Sequence, residues 1–327
     1  MSDWLTLPDL ASRRFGGSVM WANDESFAER ENLITPAPPG FRPATFGLKG
    51  QVYDGWETRR RRSPGDDSAV VRLGLPGVIR AVVVDTAFFT GNYPPECTVE
   101  ACAASGYPDV DELAGWETVV PRSPLSGDTR NLFEVESGKR YTHIRLTIHP
   151  DGGVARLRVH GEPVADPALL DPVALDLAAL ENGGRIIDCS NKFYSNPDNL
   201  LSPGQATVMG EGWETARRRD SGNDWVLVRL AAEGSVRFAE LDTTHFKGNA
   251  PGWAQLTGAS ALDGPWFPLL ERTRLQPDTR HRFAVEGAAV GYVRLDIFPD
   301  GGMARLRLHG GLTDRGLAAL AARFADV

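Results

Sequence analysis

The sequence is poor in the residues that build metal and thiol sites. It holds three cysteines and six histidines among 327 residues. Cys97, Cys102 and Cys189 are odd in number and show no CxxC spacing, which indicates a reduced, cytoplasmic setting. The histidines form no HxH or HExxH pattern, so no metal site and no cofactor are predicted, while dependence on a divalent metal stays open.

Signals for transport and for nucleotide binding are also missing. The beginning, MSDWLTLPDL, has no basic segment followed by an apolar run, and no stretch approaches the roughly 20 apolar residues of a membrane span. A formal net charge of -8 gives no general attraction for nucleic acid or for an anionic membrane, so neither is an expected partner. The sequence has no P-loop, no GxGxxG after a strand and no GxSxG elbow.

What the sequence does contain is a long internal repeat. Three blocks recur in the same order: GWETRRRR (55–62) returns as GWETARRR (212–219), DTAFFTGN (85–92) as DTTHFKGN (242–249), and HPDGGVARLRVHG (149–161) as FPDGGMARLRLHG (298–310). A chain of this length is expected to form two domains. The repeat therefore predicts two related domains that arose by tandem duplication.

The repeat divides the sequence into five predicted parts. Residues 17–162 and 184–311 are the two repeats, each of domain size. Residues 163–183 are a linker with a short helical stretch. Residues 1–16 form an N-terminal extension, and residues 312–327 form a helical tail.

Strand patterns dominate each repeat. Short β-branched runs such as VVRLGL and THIRLTI are separated by Gly, Pro, Asn and Asp. In VARLRVH, one face is apolar and the other carries Arg156, Arg158 and His160. The Asp-Gly steps at Asp151 and Asp300 predict hairpin turns. The residues thus predict an antiparallel β-sandwich or jelly roll in each copy.

The repeated blocks resemble those of the allantoicase family, whose members carry two tandem copies of a domain with GWE(T/S)xRRR, DTxxFxGN and PDGGxARLR segments. The segments at 7–17 and 21–34 also resemble that family. The resemblance implies an all-β fold of two tandem jelly-roll β-sandwich domains, of the galactose-binding or discoidin-like type. It further implies hydrolysis of allantoate to ureidoglycolate and urea in the degradation of allantoin and purines.

Allantoate carries a carboxylate and two ureido groups on one carbon. Its hydrolysis needs a cation, hydrogen-bonding groups, an acid for the departing nitrogen and a base for water. The repeated arginine clusters supply cations, and strand alternation lets about half of each cluster face one site. We predict substrate binding by Arg59, Arg61, Arg217 and Arg219, the alternative being a solvated face that carries charge pairs.

Each arginine cluster follows a Trp-Glu dipeptide. An extended segment sends neighbouring side chains to opposite sides, so Trp56 and Trp213 are expected in the core while the glutamates face the polar side. Glu57 and Glu214 are therefore candidate catalytic acids or bases.

The second block differs between the copies. Where the first copy has Phe88 and Thr90, the second has His245 and Lys247. These residues offer a group that titrates near neutrality and a cationic donor, so we predict catalysis in the second copy. On this hypothesis, His245→Ala lowers turnover far more than Phe88→Ala.

Further residues of the second block have two interpretations each. Asp85 and Asp242 end apolar strands, where they enter the site, as a substrate-binding and a catalytic residue respectively, or cap a turn. Asn92 and Asn249 follow glycine, where they bind a ureido arm or serve the turn alone.

Two rival functions stay open. One is a non-catalytic ligand- or carbohydrate-binding double β-sandwich, because a fold alone does not establish an enzyme. The other is an enzyme that acts on ureidoglycolate. The expected partner is a small molecule, and the apolar C-terminal stretch and the edge strands are consistent with a homo-oligomer.

Overall fold

The computed structural model describes residues 3–167 and 174–327. The chain divides into two compact units, the first reaching Pro163 and the second running from Val164 to Asp326. Every strand pairing in the described residues is antiparallel. The predicted all-β class is thereby confirmed.

The first unit contains eleven strands in chain order. They are β1 (Ser18–Ala22), β2 (Phe46–Gly47), β3 (Gly50–Gln51), β4 (Trp56–Glu57), β5 (Asp67–Asp85), β6 (Glu96–Cys102), β7 (Glu117–Pro124), β8 (Arg130–Glu134), β9 (Arg140–His149), β10 (Gly153–Val154) and β11 (Arg156–Pro163).

The long strand β5 connects two groups of strands. Its first part, Asp67 to Arg72, runs between β1 and β9, and β9 continues the sheet to β6 and β7. After a register shift, its last part, Ala81 to Asp85, runs between β8 and β11. Apolar side chains from both groups, such as Ile144 of β9, are fully buried, as expected for a jelly-roll sandwich.

The second unit repeats this arrangement. Its elements are β12 (Leu175–Asp176), β13 (Arg185–Cys189), β14 (Trp213–Glu214), β15 (Asp224–Asp242), β16 (Trp253–Ala259), β17 (Phe267–Arg274), β18 (Arg280–Ala284), β19 (Ala289–Phe298), β20 (Gly302–Met303), β21 (Arg305–Leu312) and helix α1 (Asp314–Ala325). The long β15 first pairs with β13 and β19, and then with β18 and β21.

The predicted linker falls partly on residues 168–173, which lie outside the described residues. Its later part contains β12 and a single 3₁₀ turn at Leu180–Asn182. The predicted C-terminal helix corresponds to α1, which Thr313 caps by accepting a hydrogen bond from the backbone N–H of Gly316. No helix in the described parts of the chain has the length and apolar character needed to cross a membrane.

The PDGG segments are not hairpin turns, and that prediction is wrong. The strands on either side, β9 and β11, both pair with β5 and do not pair with each other. The segment instead crosses between the two strand groups and places β10 beside β4. Asp151 and Asp300 serve this crossing, since their carboxylates accept hydrogen bonds from the backbone N–H groups of Arg61 and Arg218, both at 2.8 Å.

The polar face of the last strand is covered rather than solvated. Arg156 is only 1% exposed, and its guanidinium donates to the backbone oxygens of Ala37 and Asp54 and to the Asp54 carboxylate. Arg305 makes the matching bonds to the backbone oxygens of Gly204 and Glu211. These arginines hold a long loop against the sheet in each unit.

The absence of a side chain at Gly153 allows the close contact between β4 and β10. Trp56 pairs with Val154 and Glu57 with Gly153. A Cβ atom at Gly153 would lie 2.1 Å from two ring carbons of Phe89, which is 1% exposed. Only glycine therefore lets β10 pass between the ring and β4.

We expect Gly153→Ala to destabilise the first unit. The added methyl group must displace a buried ring, and overpacking of this kind costs roughly 1–3 kcal/mol. The free energy of unfolding from urea titration measures the effect. Gly138→Ala is the matched control, because a Cβ atom there meets nothing within 4 Å. Equal midpoints for the two variants would contradict the steric argument.

Candidate active site

Glu57 is the buried carboxylate of the first unit. Glu57 is 7% exposed. Its backbone in β4 is fixed by hydrogen bonds with the backbone of Phe27 and Ala28. The Nδ2 group of Asn92 donates to Glu57 Oε1 at 2.6 Å. Burial raises the pKa of Glu57, and the hydrogen bond from Asn92 partly opposes this shift. A carboxyl group in such surroundings suits proton donation.

Glu57 faces a cavity of about 510 Å³. The wall contains one carboxamide, two arginines, aromatic rings and the turn of the PDGG segment. The lining residues are Phe27, Glu57, Thr58, Arg60, Arg62, Gly91, Asn92, Tyr93, Pro95, Pro150, Asp151 and Gly152. The cavity thus combines an acid, cations and hydrogen-bonding groups with apolar surfaces.

The arginine cluster of the first unit divides into two kinds of residue. Arg59 lies 3.1 Å from the carboxylate of Asp24, and Arg61 lies 2.8 Å from that of Asp67, which is 2% exposed. Both predicted substrate-binding arginines of this copy are therefore engaged in ion pairs. Arg61 in particular holds the loop after β4 to the beginning of β5.

The other two arginines are free to meet a ligand. Arg60 and Arg62 are exposed, line the cavity beside Glu57 and form no hydrogen bond or ion pair with any described residue. Comparing the repeats could have found them. With an offset of 212 − 55 = 157, the predicted residues Arg217 and Arg219 correspond to Arg60 and Arg62, not to Arg59 and Arg61.

The second unit contains the same bonds. Asn249 Nδ2 donates to Glu214 Oε1 at 2.7 Å. Arg218 lies 2.8 Å from Asp224, as Arg61 does from Asp67. Glu214 is only partly buried, in contrast to Glu57.

His245 and Lys247 lie on the turn after β15. His245 has φ 72°, as Phe88 has φ 68° at the matching position, and its Nε2 lies 3.0 Å from the carbonyl oxygen of Ala206. The side chain of Lys247 is 78% exposed, with Nζ 4.0 Å from Asp278. This contact connects His245 to the loop that contains Ala206, and within the described residues no hydrogen bond or ion pair joins His245 to Glu214.

Asp85 and Asp242 cap the turns that follow their strands. Each accepts a hydrogen bond from a backbone N–H two residues later, on Ala87 and Thr244, at 2.9 and 2.8 Å. Neither lines the cavity beside Glu57. Asn92 and Asn249 each hold a glutamate through the side-chain amide and accept a backbone hydrogen bond from Gly153 or Gly302, so neither serves the turn alone; binding of a ureido arm stays a prediction.

Sequence reasoning missed the aromatic part of the wall. Phe27 lies on the loop after β1 and is 46% exposed, although it borders the cavity. Its backbone N–H donates to the carbonyl oxygen of Glu57 at 3.1 Å. No pattern in the sequence joins these positions, because thirty residues separate them (57 − 27). The described residues contain no cluster of three or more His, Cys, Asp or Glu side chains arranged to bind a metal ion.

Comparison with known proteins identifies the family. The model of the allantoicase repeat matches residues 8–164 and 175–313. A probable allantoicase of Nocardia farcinica is 61% identical over 312 residues, covering 94% of each chain. A probable allantoicase of Streptomyces coelicolor is 51% identical, covering 98% of this chain and 89% of the relative.

A solved structure agrees with these matches. The crystal structure of allantoicase from Saccharomyces cerevisiae has a TM-score of 0.79 and 34% identity, covering 93% of this chain and 92% of the yeast chain. Similarity of this extent decides in favour of an enzyme over a binding module. The chain belongs to the allantoicase family, and it is a hydrolase.

Proposed function

We propose that this hydrolase cleaves allantoate to ureidoglycolate and urea in purine catabolism, and that the cavity of the first unit is the active site. The observation that carries the proposal is the position of Glu57. It is a buried acid with a raised pKa, held by Asn92, in a cavity that presents Arg60 and Arg62 without partners. The names of the relatives supply the substrate.

The two arginines bind the carboxylate of allantoate. A guanidinium presents a planar fork of N–H donors that matches a carboxylate, and neither Arg60 nor Arg62 must first leave an internal ion pair. The flat ureido arms find hydrogen-bonding groups on Asn92 and Tyr93 and an apolar surface on Phe27. Binding in this way places the carbon that carries both arms close to Glu57.

Glu57 supplies the proton for the leaving group. The protonated carboxyl group donates to the nitrogen of one ureido arm, the bond between this nitrogen and the central carbon breaks, and urea departs. The lone pair of the remaining ureido nitrogen stabilises the electron-poor carbon. The Glu57 carboxylate then takes a proton from water while the water oxygen bonds to that carbon. One water molecule is consumed, and Glu57 ends as it began.

Asn92 orients the acid. It binds Oε1, and no described residue binds Oε2, which leaves that oxygen for proton transfer. The preference for the second copy that the sequence suggested rests on His245. The proposal moves catalysis to the first copy because Glu57, which lines the cavity there, is more deeply buried than Glu214.

We expect Glu57→Gln to lower kcat for urea release from allantoate by at least about 100-fold, since general acid catalysis contributes roughly 10²–10⁴-fold. Glutamine keeps the shape and the bond to Asn92 but cannot donate an acidic proton. Glu214→Gln is the matched comparison, with a smaller expected loss. A larger loss for Glu214→Gln would return catalysis to the second copy, and His245→Ala would then be the next test.

Arg60→Ala should weaken substrate binding. Hydrogen bonds to charged groups contribute about 1.5–3 kcal/mol, which corresponds to a rise in KM of roughly 10- to 100-fold. Arg59→Ala removes the same charge from the adjacent residue, which is occupied by Asp24, and should change KM by less than about threefold. The proposal fails if the two variants have the same steady-state constants.

The pH profile tests the role of Glu57 as an acid. If Glu57 must be protonated, kcat/KM falls as the pH rises through its raised pKa. The bond from Asn92 favours the charged form, so Asn92→Ala should raise the pKa of Glu57 further and move this falling limb to higher pH. A profile that instead rises through the same range would identify Glu57 as a base from the outset.

A further inference from the structure

The second unit carries counterparts of the glutamate, the asparagine and the arginines around Glu57, although Ala250 stands where the first unit has Tyr93. Glu214 pairs with Gly302 across β14 and β20, and Asn249 binds its Oε1. Asp300 fixes the backbone of Arg218. The same carboxylate, carboxamide and turn therefore meet at the corresponding position.

The cations of this second position are also free. Arg217 and Arg219 are exposed and form no hydrogen bond or ion pair with any described residue. Arg218, between them, is bound by Asp220 and Asp224 at 2.9 and 2.8 Å. The two arginines that flank Arg218 thus have no acidic partner among the described residues, which leaves both guanidinium groups available to bind an anion.

Two features distinguish this position from the cavity of the first unit. Glu214 is partly exposed, whereas Glu57 is buried. Met209 lies beside the amide, with Sδ 3.5 Å from Asn249 Nδ2. Val52, at the matching position of the first unit, does not line the cavity there. The second position is thus suited to holding a ligand rather than to cleaving it.

We propose that the second unit has its own binding site for a small carboxylate that bears a ureido group, formed by Glu214, Arg217, Arg219 and Asn249, and that this site binds without turnover. The arginines hold the carboxylate, and Glu214 Oε2 accepts an N–H bond from the ureido arm. The ligand class rests on the proposed function of the first unit. The site itself rests on the geometry of the second unit.

Counting bound ligand tests the proposal. Radiolabelled N-carbamoylglycine carries one carboxylate and one ureido arm, and it lacks the second ureido nitrogen needed to expel urea. Equilibrium dialysis should find two molecules bound per wild-type chain. The double variant Arg217→Ala/Arg219→Ala should bind one molecule, in the first unit. The double variant Arg60→Ala/Arg62→Ala should also bind one molecule, in the second unit. The dissociation constant at the substituted site should rise at least about tenfold, as expected when hydrogen bonds to charged groups are removed.

The controls separate binding from folding and from catalysis. All substituted arginines are exposed, and thermal melting checks that the variants fold. Arg217→Lys/Arg219→Lys should keep weaker binding, because lysine retains the charge and loses the fork, and Arg59→Ala should keep both sites. A wild-type count of one, or a count unchanged by Arg217→Ala/Arg219→Ala, overturns the proposal. Failure of the proposed function would appear instead as unchanged allantoate turnover in Glu57→Gln.

Discussion

The close pairing of a Trp-Glu strand with a glycine is the constraint on which each unit depends. A side chain at Gly153 or Gly302 would overlap the buried ring of Phe89 or Phe246, so the backbone itself fills the space between that ring and the strand. The pairing buries Trp56 on one side and leaves Glu57 on the other. The packing of the core, rather than a loop, therefore fixes the position of the carboxylate.

The arginines show how one repeated motif produces both structure and function. Alternation along the extended segment directs Arg61 and Arg218 to buried aspartates, which close the loop after the Trp-Glu strand. Their neighbours consequently point away from those aspartates and remain without partners. A charge in the interior is tolerated only if an opposite charge pairs with it. A cation that binds a ligand in a cavity must instead have no partner within the protein. Adjacent residues meet these opposite requirements.

Much of the architecture could be predicted from the sequence, because strand periodicity and the repeated blocks are local signals. The burial of Arg156 could not, since it depends on a loop that packs from about a hundred residues away in sequence, at Ala37 and Asp54. The PDGG error has a similar origin. Asp-Gly is typical of hairpins, but the sequence does not reveal that β9 and β11 join different partners.

The loop that the buried arginine holds differs in length between the two units. The arginine-held loop has 54 − 37 = 17 residue steps between its anchors in the first unit and 211 − 204 = 7 in the second. The longer loop reaches the segment after β1, where Lys49 binds the carbonyl oxygen of Glu25 and the carboxylate of Glu29, both at 2.8 Å. That segment carries Phe27 onto the cavity wall. A surface insertion thus supports one wall of the cavity beside Glu57 without altering the duplicated core.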